Sequence, residues 1–236
     1  PDDIFEAWLE GNGYGDGIAF NDSVLTSSIS VITQLDLYNK NISDLTGISD
    51  MTQLEYIYAD NNFISSVDLT GLYLLKEINF SNNQLTQIIL PDSIANNGWG
   101  CSYPVGDYYY HNYCGLQLNL YGNQLTSFTV PAGCKISRLY MNDNPLSYLD
   151  VSNAWSMSRI ELSNSNLTSI DLSALNYLDI VELYNNDSLQ SIDLKNKTRL
   201  EGVYISDNDI LSDFDFRNVI EVNINSHNFT NNPQLS

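Results

Sequence analysis

The residues of this chain that could carry acid–base or metal chemistry are mostly carboxylates. There are 29 Asp and Glu residues but only two His and three Cys. The sequence contains no G-x-S-x-G, H-E-x-x-H or P-loop motif, and His111, His227 and the cysteines lack the spacing of a zinc site. A carboxylate pair can cleave a glycoside, but most Asp and Glu side chains are simply solvated. We therefore predict that the chain is not an enzyme and holds no metal or cofactor.

The charge of the chain excludes two classes of partner. Its 29 acidic residues outnumber 9 Lys and Arg residues, which gives a net charge of −20. Nucleic acids and anionic membranes both require a positive protein surface, and no apolar run is long enough to span a bilayer. We predict neither a nucleic-acid partner nor membrane insertion. Solubility in a salty medium explains the acidic surface, with metal-bridged contacts as the alternative.

A segment rich in aromatic residues has the composition of a binding loop. It runs from about residue 91 to residue 114 and reads PDSIANNGWGCSYPVGDYYYHNYC. Rigid aromatics mixed with Gly, Asn and Ser give antibody loops a large contact area at a low entropy cost. We predict that this aromatic segment contacts a ligand; the alternative is a cluster that packs on its own loop. The candidate binding residues are Trp99, Tyr103, Tyr108, Tyr109, Tyr110, His111 and Tyr113.

The elements that must position such residues are short repeats. The frame L-x-x-L-x-L-x-x-N-x-L recurs, for example as LEYIYADNNFI, LKEINFSNNQL and ISRLYMNDNPL. Successive Asn positions are 21 or 22 residues apart, except for one interval of 40 that contains the aromatic segment and a last interval of 19. The residues at this position are Lys40, Asn62, Asn83, Asn123, Asn144, Ser165, Asn186, Asn208 and His227.

This frame resembles the leucine-rich repeat family in its short bacterial, internalin-like form, over residues 29–229. The resemblance implies a mainly β solenoid of about nine repeats of 21–22 residues, with short helical or 3₁₀ segments. Each repeat would add one strand to a parallel sheet on the concave face. Extended or 3₁₀ segments would form the convex side.

The Asn of each repeat has a structural role in this fold. Where the chain turns inward after the strand, a buried amide can both donate to and accept from backbone groups that would otherwise be unpaired. We therefore predict a ladder of stacked Asn side chains, in which Ser165 is a shorter substitute. The members of this ladder are Asn62, Asn83, Asn123, Asn144, Asn186 and Asn208.

Tyrosines recur among the side chains that point out of the concave face. The same repeat spacing also places Glu221, Asn223 and Asn225 on the last strand. Tyr is a good strand former, and sheet propensity alone is one explanation of the pattern. Amphipathic rings beside Asn, Asp and Ser also suit a glycan or protein ligand. We predict ligand binding by Tyr38, Tyr56, Tyr58, Tyr121, Tyr140, Tyr184 and Tyr204.

Residues 1–28 have the pattern of an N-terminal cap. PDDIFEAWLEG combines Asp3 and Glu6 in a capping-box arrangement with an apolar face and Gly11 at its end, which predicts a short helix over the first rung. The next segment, GNGYGDGIAFND, reads as a Gly-rich connector, with a calcium-binding turn as the weaker alternative. Residues 230–236 read as the start of a further repeat, so we expect the native chain to continue.

The opening of the chain, through LDLYNKNISDLTGI, is also similar to the start of secreted repeat proteins of Bacteroidetes and flavobacteria. That resemblance implies export to the cell surface or the medium. No signal peptide is recognisable, so the chain would be a mature form. Asp-Ser-apolar triplets are O-glycosylation signals in this group, which makes Ser23, Ser93 and Ser188 candidates.

Three cysteines leave the disulfide pairing of an exported chain open. Cys101 and Cys114 bracket the insertion, and a bond between them would close the loop. Cys114 and Cys134 occupy nearly equivalent positions on adjacent rungs and form the rival pair. We predict the Cys101–Cys114 disulfide.

These features together predict a secreted or cell-surface bacterial recognition module. It would bind a protein or a glycan through its concave face and aromatic segment. The alternative is a structural subunit of an extracellular filament or phage fibre that self-assembles through its solenoid ends. A binder stays monomeric when purified, whereas a filament subunit assembles as its concentration rises.

Overall fold

The structure is a computed structural model that describes residues 2–18, 20–94, 115–219 and 226–235. The described helices are α1 (Asp3–Gly11) and α2 (Thr26–Ile29), and a 3₁₀ turn covers Ile48–Asp50. The described strands are β1 (Gln34–Asp36), β2 (Tyr56–Tyr58), β3 (Ser66–Asp68), β4 (Glu77–Asn79), β5 (Gln87–Ile89), β6 (Leu116–Asn119), β7 (Ser127–Thr129), β8 (Ile136–Tyr140), β9 (Tyr148–Asp150), β10 (Arg159–Glu161), β11 (Ser169–Asp171), β12 (Ile180–Tyr184), β13 (Ser191–Asp193), β14 (Gly202–Ser206), β15 (Asp213–Asp215) and β16 (Ser226–Asn228).

Nine of the described strands form one parallel sheet, which we call the main sheet. Its order is β1-β2-β4-β6-β8-β10-β12-β14-β16, so each neighbour comes from the next repeat. Ile78 of β4, for instance, pairs with Ile57 on one side and Leu118 on the other. Parallel pairs need a long return connection, and the rest of each repeat provides it. The chain is therefore a mainly β, leucine-rich-repeat-like solenoid, which confirms the fold class expected from the sequence.

The return segments carry a second set of short strands. β3 pairs with β5, β7 pairs with β9, and β11, β13 and β15 form a three-stranded sheet. Their sequences alternate as in Ser169-Ile170-Asp171, where only the middle residue is buried. A period of two with one solvated face is the signature of a strand. The segments expected to be extended or 3₁₀ are thus mostly short paired strands.

The core fills the space between the two sets of strands. In the rung that begins at β10, Ile160, Leu162 and Ile170 are at most 4% exposed. Equivalent apolar positions of successive rungs stack into one cluster that runs from Phe5 in α1 to Leu211. Since each rung buries its apolar face only against its neighbours, stability accumulates by stacking.

A column of left-handed residues turns the chain after each strand of the main sheet. Asn61 and Asn82, for example, have φ angles of 58° and 53°. Gly, Asn and Asp adopt this conformation most readily, and a Cβ added at Gly122 would also come within 2.7 Å of the Asn82 Oδ1. This column was not predicted from the sequence, although its residue types are the signal. Its members are Asn39, Asn61, Asn82, Gly122, Asp143, Asn164, Asn185, Asp207 and Asn231.

The predicted ladder residues directly follow this column, and their amides bridge consecutive rungs. The Asn144 Nδ2 donates to the Leu120 oxygen of the preceding rung at 2.8 Å and to the Met141 oxygen of its own turn at 3.1 Å. Its Oδ1 accepts the Leu125 N–H at 3.0 Å. These bonds satisfy backbone groups that the turn removes from water. The same pattern is made by Asn62, Asn83 and Asn123.

The ladder is interrupted where Ser165 takes the place of Asn. The Ser165 Oγ donates to the Asn186 Oδ1 at 2.6 Å, and the Ser165 N–H donates to the same oxygen at 2.9 Å. Asn186 is 1% exposed, and its Nδ2 has no hydrogen-bond partner within the described part of the chain. A buried donor left without an acceptor costs about 1–3 kcal/mol.

We expect Ser165→Asn to raise the free energy of unfolding by about 0.5–1.5 kcal/mol. The longer side chain brings an amide into the ladder, where it can donate to carbonyls of its own turn as Asn144 does. Ser165→Ala is the control and should lower stability, because it removes the donor to Asn186. Denaturant titration of both variants tests this prediction. A Ser165→Asn variant less stable than the parent would contradict the expected gain from restoring an amide at this ladder position.

The phase predicted for the last repeat is wrong. His227 lies in β16 opposite Val203, so it is a strand residue and not the ladder residue. Asn232 occupies the ladder position instead, because its Nδ2 donates to the Ile205 oxygen at 2.7 Å and its Oδ1 accepts the Asn208 N–H at 3.2 Å. The last interval is therefore 24 residues and not 19. The residues expected on the last strand, Glu221, Asn223 and Asn225, lie outside the described residues.

The helix α1 begins at a different cap from the one expected. Asp2 is the N-cap, and its Oδ1 accepts the Ile4 N–H at 2.8 Å. Its Oδ2 accepts the Ser43 N–H at 2.9 Å, which ties the start of the helix to the first rung. The predicted capping box of Asp3 with Glu6 is wrong, because the Glu6 carboxylate accepts the N–H groups of Asn21 and Asp22 instead.

Two glutamates of α1 organise the Gly-rich segment that follows it. Glu6 is 0% exposed, and its carboxylate accepts the N–H groups of Asn21 and Asp22 at 2.9 and 2.8 Å. The Glu10 carboxylate lies so close to Gly15 that a Cβ there would be 1.9 Å from it. These carboxylates thus bond to backbone amides, which fixes the connector against the helix.

Candidate functional site

The main sheet holds the candidate residues in aligned rows. Backbone pairing sets Tyr140 between Asn119 and Glu161. Neighbouring strands lie about 4.8 Å apart, so side chains from successive repeats can contact one ligand together. We call this solvent-facing surface the main-sheet face. Its middle row consists of Asp36, Tyr58, Asn79, Asn119, Tyr140, Glu161, Glu182, Tyr204 and Asn228.

The seven tyrosines predicted to bind ligand lie in strands of the main sheet or two residues beyond the end of one. Tyr38 and Tyr121 are 54% and 39% exposed and stand on separate rungs. Tyr184 and Tyr204 are brought together, with ring centroids 6.4 Å apart. The face therefore offers both isolated rings and one aromatic pair. The half-buried members are Tyr56, Tyr58, Tyr140, Tyr184 and Tyr204.

A cluster of ion pairs lies beside this aromatic pair. The Arg159 Nε is 2.6 Å from the Glu161 Oε1, and its Nη2 is 2.5 Å from the Glu182 Oε1. The guanidinium carbon of Arg159 lies 5.9 Å from the Tyr140 ring centroid. The Asn142 Nδ2 donates to the Glu161 Oε2 at 3.0 Å. These contacts hold the side chains in place before any ligand arrives, which lowers the entropy cost of binding.

The Arg159 guanidinium contacts both carboxylates of this cluster, and Arg138 lies beside Arg159 on the paired strand. Burial raises the pKa of Glu182 above its ordinary value, the charge of Glu161 raises it further, and Arg159 opposes both effects. Burial also raises the pKa of Tyr184, and the charge of Glu182 adds to that rise. A half-buried carboxylate with too little positive charge around it favours a nearby cation. The main-sheet face is therefore suited to a ligand that carries a basic or hydrogen-bond-donating group.

Arg159, Glu161 and Glu182 were not among the binding residues predicted from the sequence. The repeat phase places Arg138 and Arg159 in one row of successive strands and two glutamates in the next row. Like charges repeat along each row, and rows of opposite charge lie next to each other, which was the available signal. The tyrosine pattern alone does not reveal it.

The described residues contain no group of three or more His, Cys, Asp or Glu side chains that could hold a metal ion. In the Gly-rich segment, the Asp16 Oδ1 accepts the Ile18 N–H at 2.9 Å. The absence of a metal and of a cofactor remains a prediction from the sequence.

No helix in the described ranges has the length and apolar character needed to cross a membrane.

The aromatic segment joins the solenoid at the end where the strands of the main sheet begin. The described chain runs to Ile94 and resumes at Gly115, directly before β6, and Ser93 forms a β-bridge with Gly133 of the next rung. Two sets of predicted residues lie outside the described residues, so their roles remain predictions. They are the binding residues Trp99, Tyr103, Tyr108, Tyr109, Tyr110, His111 and Tyr113, and the disulfide residues Cys101 and Cys114.

The rival disulfide between Cys114 and Cys134 is contradicted. Cys134 is a free thiol and is 1% exposed. Burial raises the pKa of this thiol to about 12, so it remains protonated at neutral pH and is a poor nucleophile. Cys134 acts as a small apolar residue of the core.

The three candidate glycosylation sites differ in access. Ser23 and Ser93 are exposed, whereas Ser188 is half-buried. The Ser23 N–H donates to the Asn21 Oδ1 at 2.9 Å within a turn. Modification of these hydroxyls remains a prediction from the sequence.

Comparisons with known proteins add a distant structural likeness. No protein-family model matches the chain, and no curated protein sequence matches it either. Among solved structures, the chain is similar to the functional domain of InlJ from Listeria monocytogenes, which is described as including a cysteine ladder. The two are 17% identical with a TM-score of 0.32, and the likeness covers 93% of this chain and 70% of that chain.

Proposed function

We propose that this chain is a non-enzymatic recognition module, secreted or held on a bacterial surface, that binds a protein or glycan ligand through its main-sheet face. The observation that carries the proposal is the in-register middle row of a parallel sheet, in which two polar or charged residues separate each of Tyr58, Tyr140 and Tyr204 from the next. Rings with an apolar body and a polar tip provide contact area and hydrogen bonds at once.

The ion-pair cluster of Arg159, Glu161 and Glu182 supports this proposal. It lies beside the Tyr184–Tyr204 pair, and its two carboxylates share the guanidinium of Arg159. A protein ligand with an exposed Lys or Arg, or a sugar with donating hydroxyl groups, would complement it. Charge complementarity of this kind gives specificity and faster association more than raw affinity.

The aromatic segment of residues 91–114 is proposed as a second contact for the same ligand. Its flanking residue Gly115 directly precedes β6 of the main sheet, which supports a contact beside the main-sheet face. Its Tyr-rich composition with Gly, Asn and Ser is that of an adaptable binding loop. A solenoid gains no rung packing from the added residues, which favours a role in recognition.

We expect the double variant Tyr140→Ser, Tyr204→Ser to lose binding about tenfold or more, because both rings are removed from the middle row. The measurement is a glycan array and an array of extracellular proteins, probed with the parent and variant chains. Tyr148→Ser is the matched control: Tyr148 is 55% exposed but lies on β9 in the second set of strands. A further variant replaces residues 96–113 with a Gly-Ser linker.

Thermal melting first establishes that the double variant and the linker variant are both folded. If both then bind as strongly as the parent, the proposed role of the main-sheet face and the aromatic segment in recognition is refuted. Sedimentation over a range of concentrations addresses the structural alternative. A binder stays monomeric, and growth into long assemblies would favour a filament subunit.

A further inference from the structure

Two apolar side chains of the connector that follows α1 stand in solvent. Ile18 and Phe20 are 60% and 66% exposed, and we call this pair the apolar apex. Large side chains without a polar atom are usually buried. Of the eight that are exposed among the described residues, five precede β1, so the N-terminal cap is where apolar exposure concentrates. These five are Ile4, Ile18, Phe20, Leu25 and Val31.

Carboxylates of α1 fix the chain on both sides of the apolar apex. The Glu10 carboxylate accepts the Gly17 N–H at 3.1 Å, and the buried Glu6 carboxylate accepts the Asn21 N–H at 2.9 Å. The Asn21 Nδ2 also donates to the Asp16 Oδ2 at 3.1 Å. Because Glu6 and Glu10 are one helical turn apart, they hold the two sides of the apex close together. The exposure of the apex is therefore built into the fold of the cap.

The backbone of the apolar apex is strained at its largest side chain. Phe20 has a φ angle of 59°, a left-handed conformation that is costly for a bulky residue and readily adopted by glycine. A solvent-exposed Phe in this conformation adds neither core packing nor a favourable backbone, so fold stability alone disfavours it. Strain of this kind concentrates at ligand and switch sites.

The chain around the apolar apex is strongly acidic. The first 75 residues contain twelve Asp and Glu residues but a single basic residue, Lys40, and no His. The carboxylates of Glu6, Glu10 and Asp16 bond to N–H groups that carry no net charge, so their own charge is kept. Such a surface attracts a basic partner. It repels an anionic membrane and also a second copy of this chain, whose net charge is −20.

We propose that the apolar apex is a docking site for a basic amphipathic surface of a partner protein. The apolar face of the partner covers Ile18 and Phe20, and its Lys or Arg side chains face the carboxylates of the cap. A few apolar anchors supply the affinity of such contacts, and the charges select the partner. This site lies on the N-terminal cap and does not depend on the function proposed for the main-sheet face.

The probe is a fluorescein-labelled synthetic helix of two LKKLLKL heptads, which carries one apolar face and one basic face. Its counterpart, two LEELLEL heptads, has the same apolar face and an acidic one. We expect fluorescence anisotropy to show binding of the Leu/Lys helix to the parent chain and no binding of the Leu/Glu helix.

Phe20→Gly should weaken binding of the Leu/Lys helix about tenfold and should melt at or above the parent temperature. Glycine adopts the φ angle of Phe20 without strain, and no core packing is lost. A ring needed for folding would instead lower the melting temperature. The matched control is Tyr148→Ser, which removes a 55% exposed ring on β9 and should bind as the parent does.

Three results overturn the proposal: no binding of the Leu/Lys helix to the parent, equal binding of the Leu/Glu helix, or a Phe20→Gly variant that binds as tightly as the parent. If Phe20→Gly melts well below the parent, Ile18→Ser decides, and binding equal to the parent's overturns the proposal. Binding to neutral phosphatidylcholine vesicles that is lost in Phe20→Gly would assign the apex to a lipid surface and overturn the protein partner.

The Tyr140→Ser, Tyr204→Ser variant separates this site from the main-sheet face. It should bind the Leu/Lys helix as the parent does, because both of its changes lie on the main sheet. Loss of binding in that variant would place the helix on the main-sheet face and overturn the proposal for the apolar apex.

Discussion

Asn83→Ala and Asn144→Ala are each expected to lower the free energy of unfolding by about 1–3 kcal/mol. The Asn83 Nδ2 donates to the Ala59 and Phe80 oxygens at 2.9 and 3.1 Å, and its Oδ1 accepts the Ile64 N–H at 3.0 Å. Alanine leaves these buried backbone groups without the amide, because water does not reach them.

The matched control for the ladder variants is Asn176→Ala, at an exposed turn position, which should be within about 0.5 kcal/mol of the parent. Chemical denaturation followed by circular dichroism measures all three. Binding by the folded ladder variants should be unchanged, since these amides face the core. Melting of both ladder variants at the parent temperature would show that the amides do not hold the turns.

Lys197→Leu is expected to raise the free energy of unfolding by about 1–2 kcal/mol, because it replaces a buried charge with an apolar side chain. Lys197 is 1% exposed, and the equivalent positions of other repeats hold Leu72 and Leu175, both 0% exposed. The Lys197 Nζ donates to the Ser173 oxygen at 2.9 Å. Loss of that bond offsets part of the gain.

The gain from Lys197→Leu should depend on pH in one direction. Burial lowers the pKa of Lys197 below its ordinary 10.5, against the charges of Asp193 and Asp171. The folded chain therefore holds this proton less tightly than the unfolded chain, and the protonated side chain lowers stability at every pH below the folded pKa. The penalty disappears as the pH rises through the folded pKa towards 10.5. The advantage of the variant should shrink over that range.

Lys195→Leu is the matched control for this prediction. Lys195 is two residues away, its side chain is 42% exposed, and its Nζ lies 3.0 Å from the Asp193 Oδ2. An exposed ion pair contributes only about 0–1 kcal/mol, so this variant should not be stabilised. Equal unfolding energies for Lys197→Leu and the parent at pH 7 would contradict the cost assigned to the buried ammonium.

The sequence by itself determined the solenoid, because a constant repeat length forces equivalent residues into equivalent places. A frame that returns every 21 or 22 residues places Leu118, Leu139 and Ile160 in one stacked row of the core. The same phase put the tyrosines and the Arg–Glu rows on one face of the main sheet. It also put Asn into a turn whose buried backbone groups lack hydrogen-bond partners. Because every repeat contains this turn, every repeat needs a side chain that supplies those partners.

Only the tertiary structure decided the features that break the period or join different rungs. His227 and Asn232 both follow plausible apolar frames, and strand pairing with β14 selects Asn232 for the ladder. Lys197 reads as a surface residue until its neighbours bury it. In each case the deciding quantity is a distance across rungs, which a local pattern does not encode.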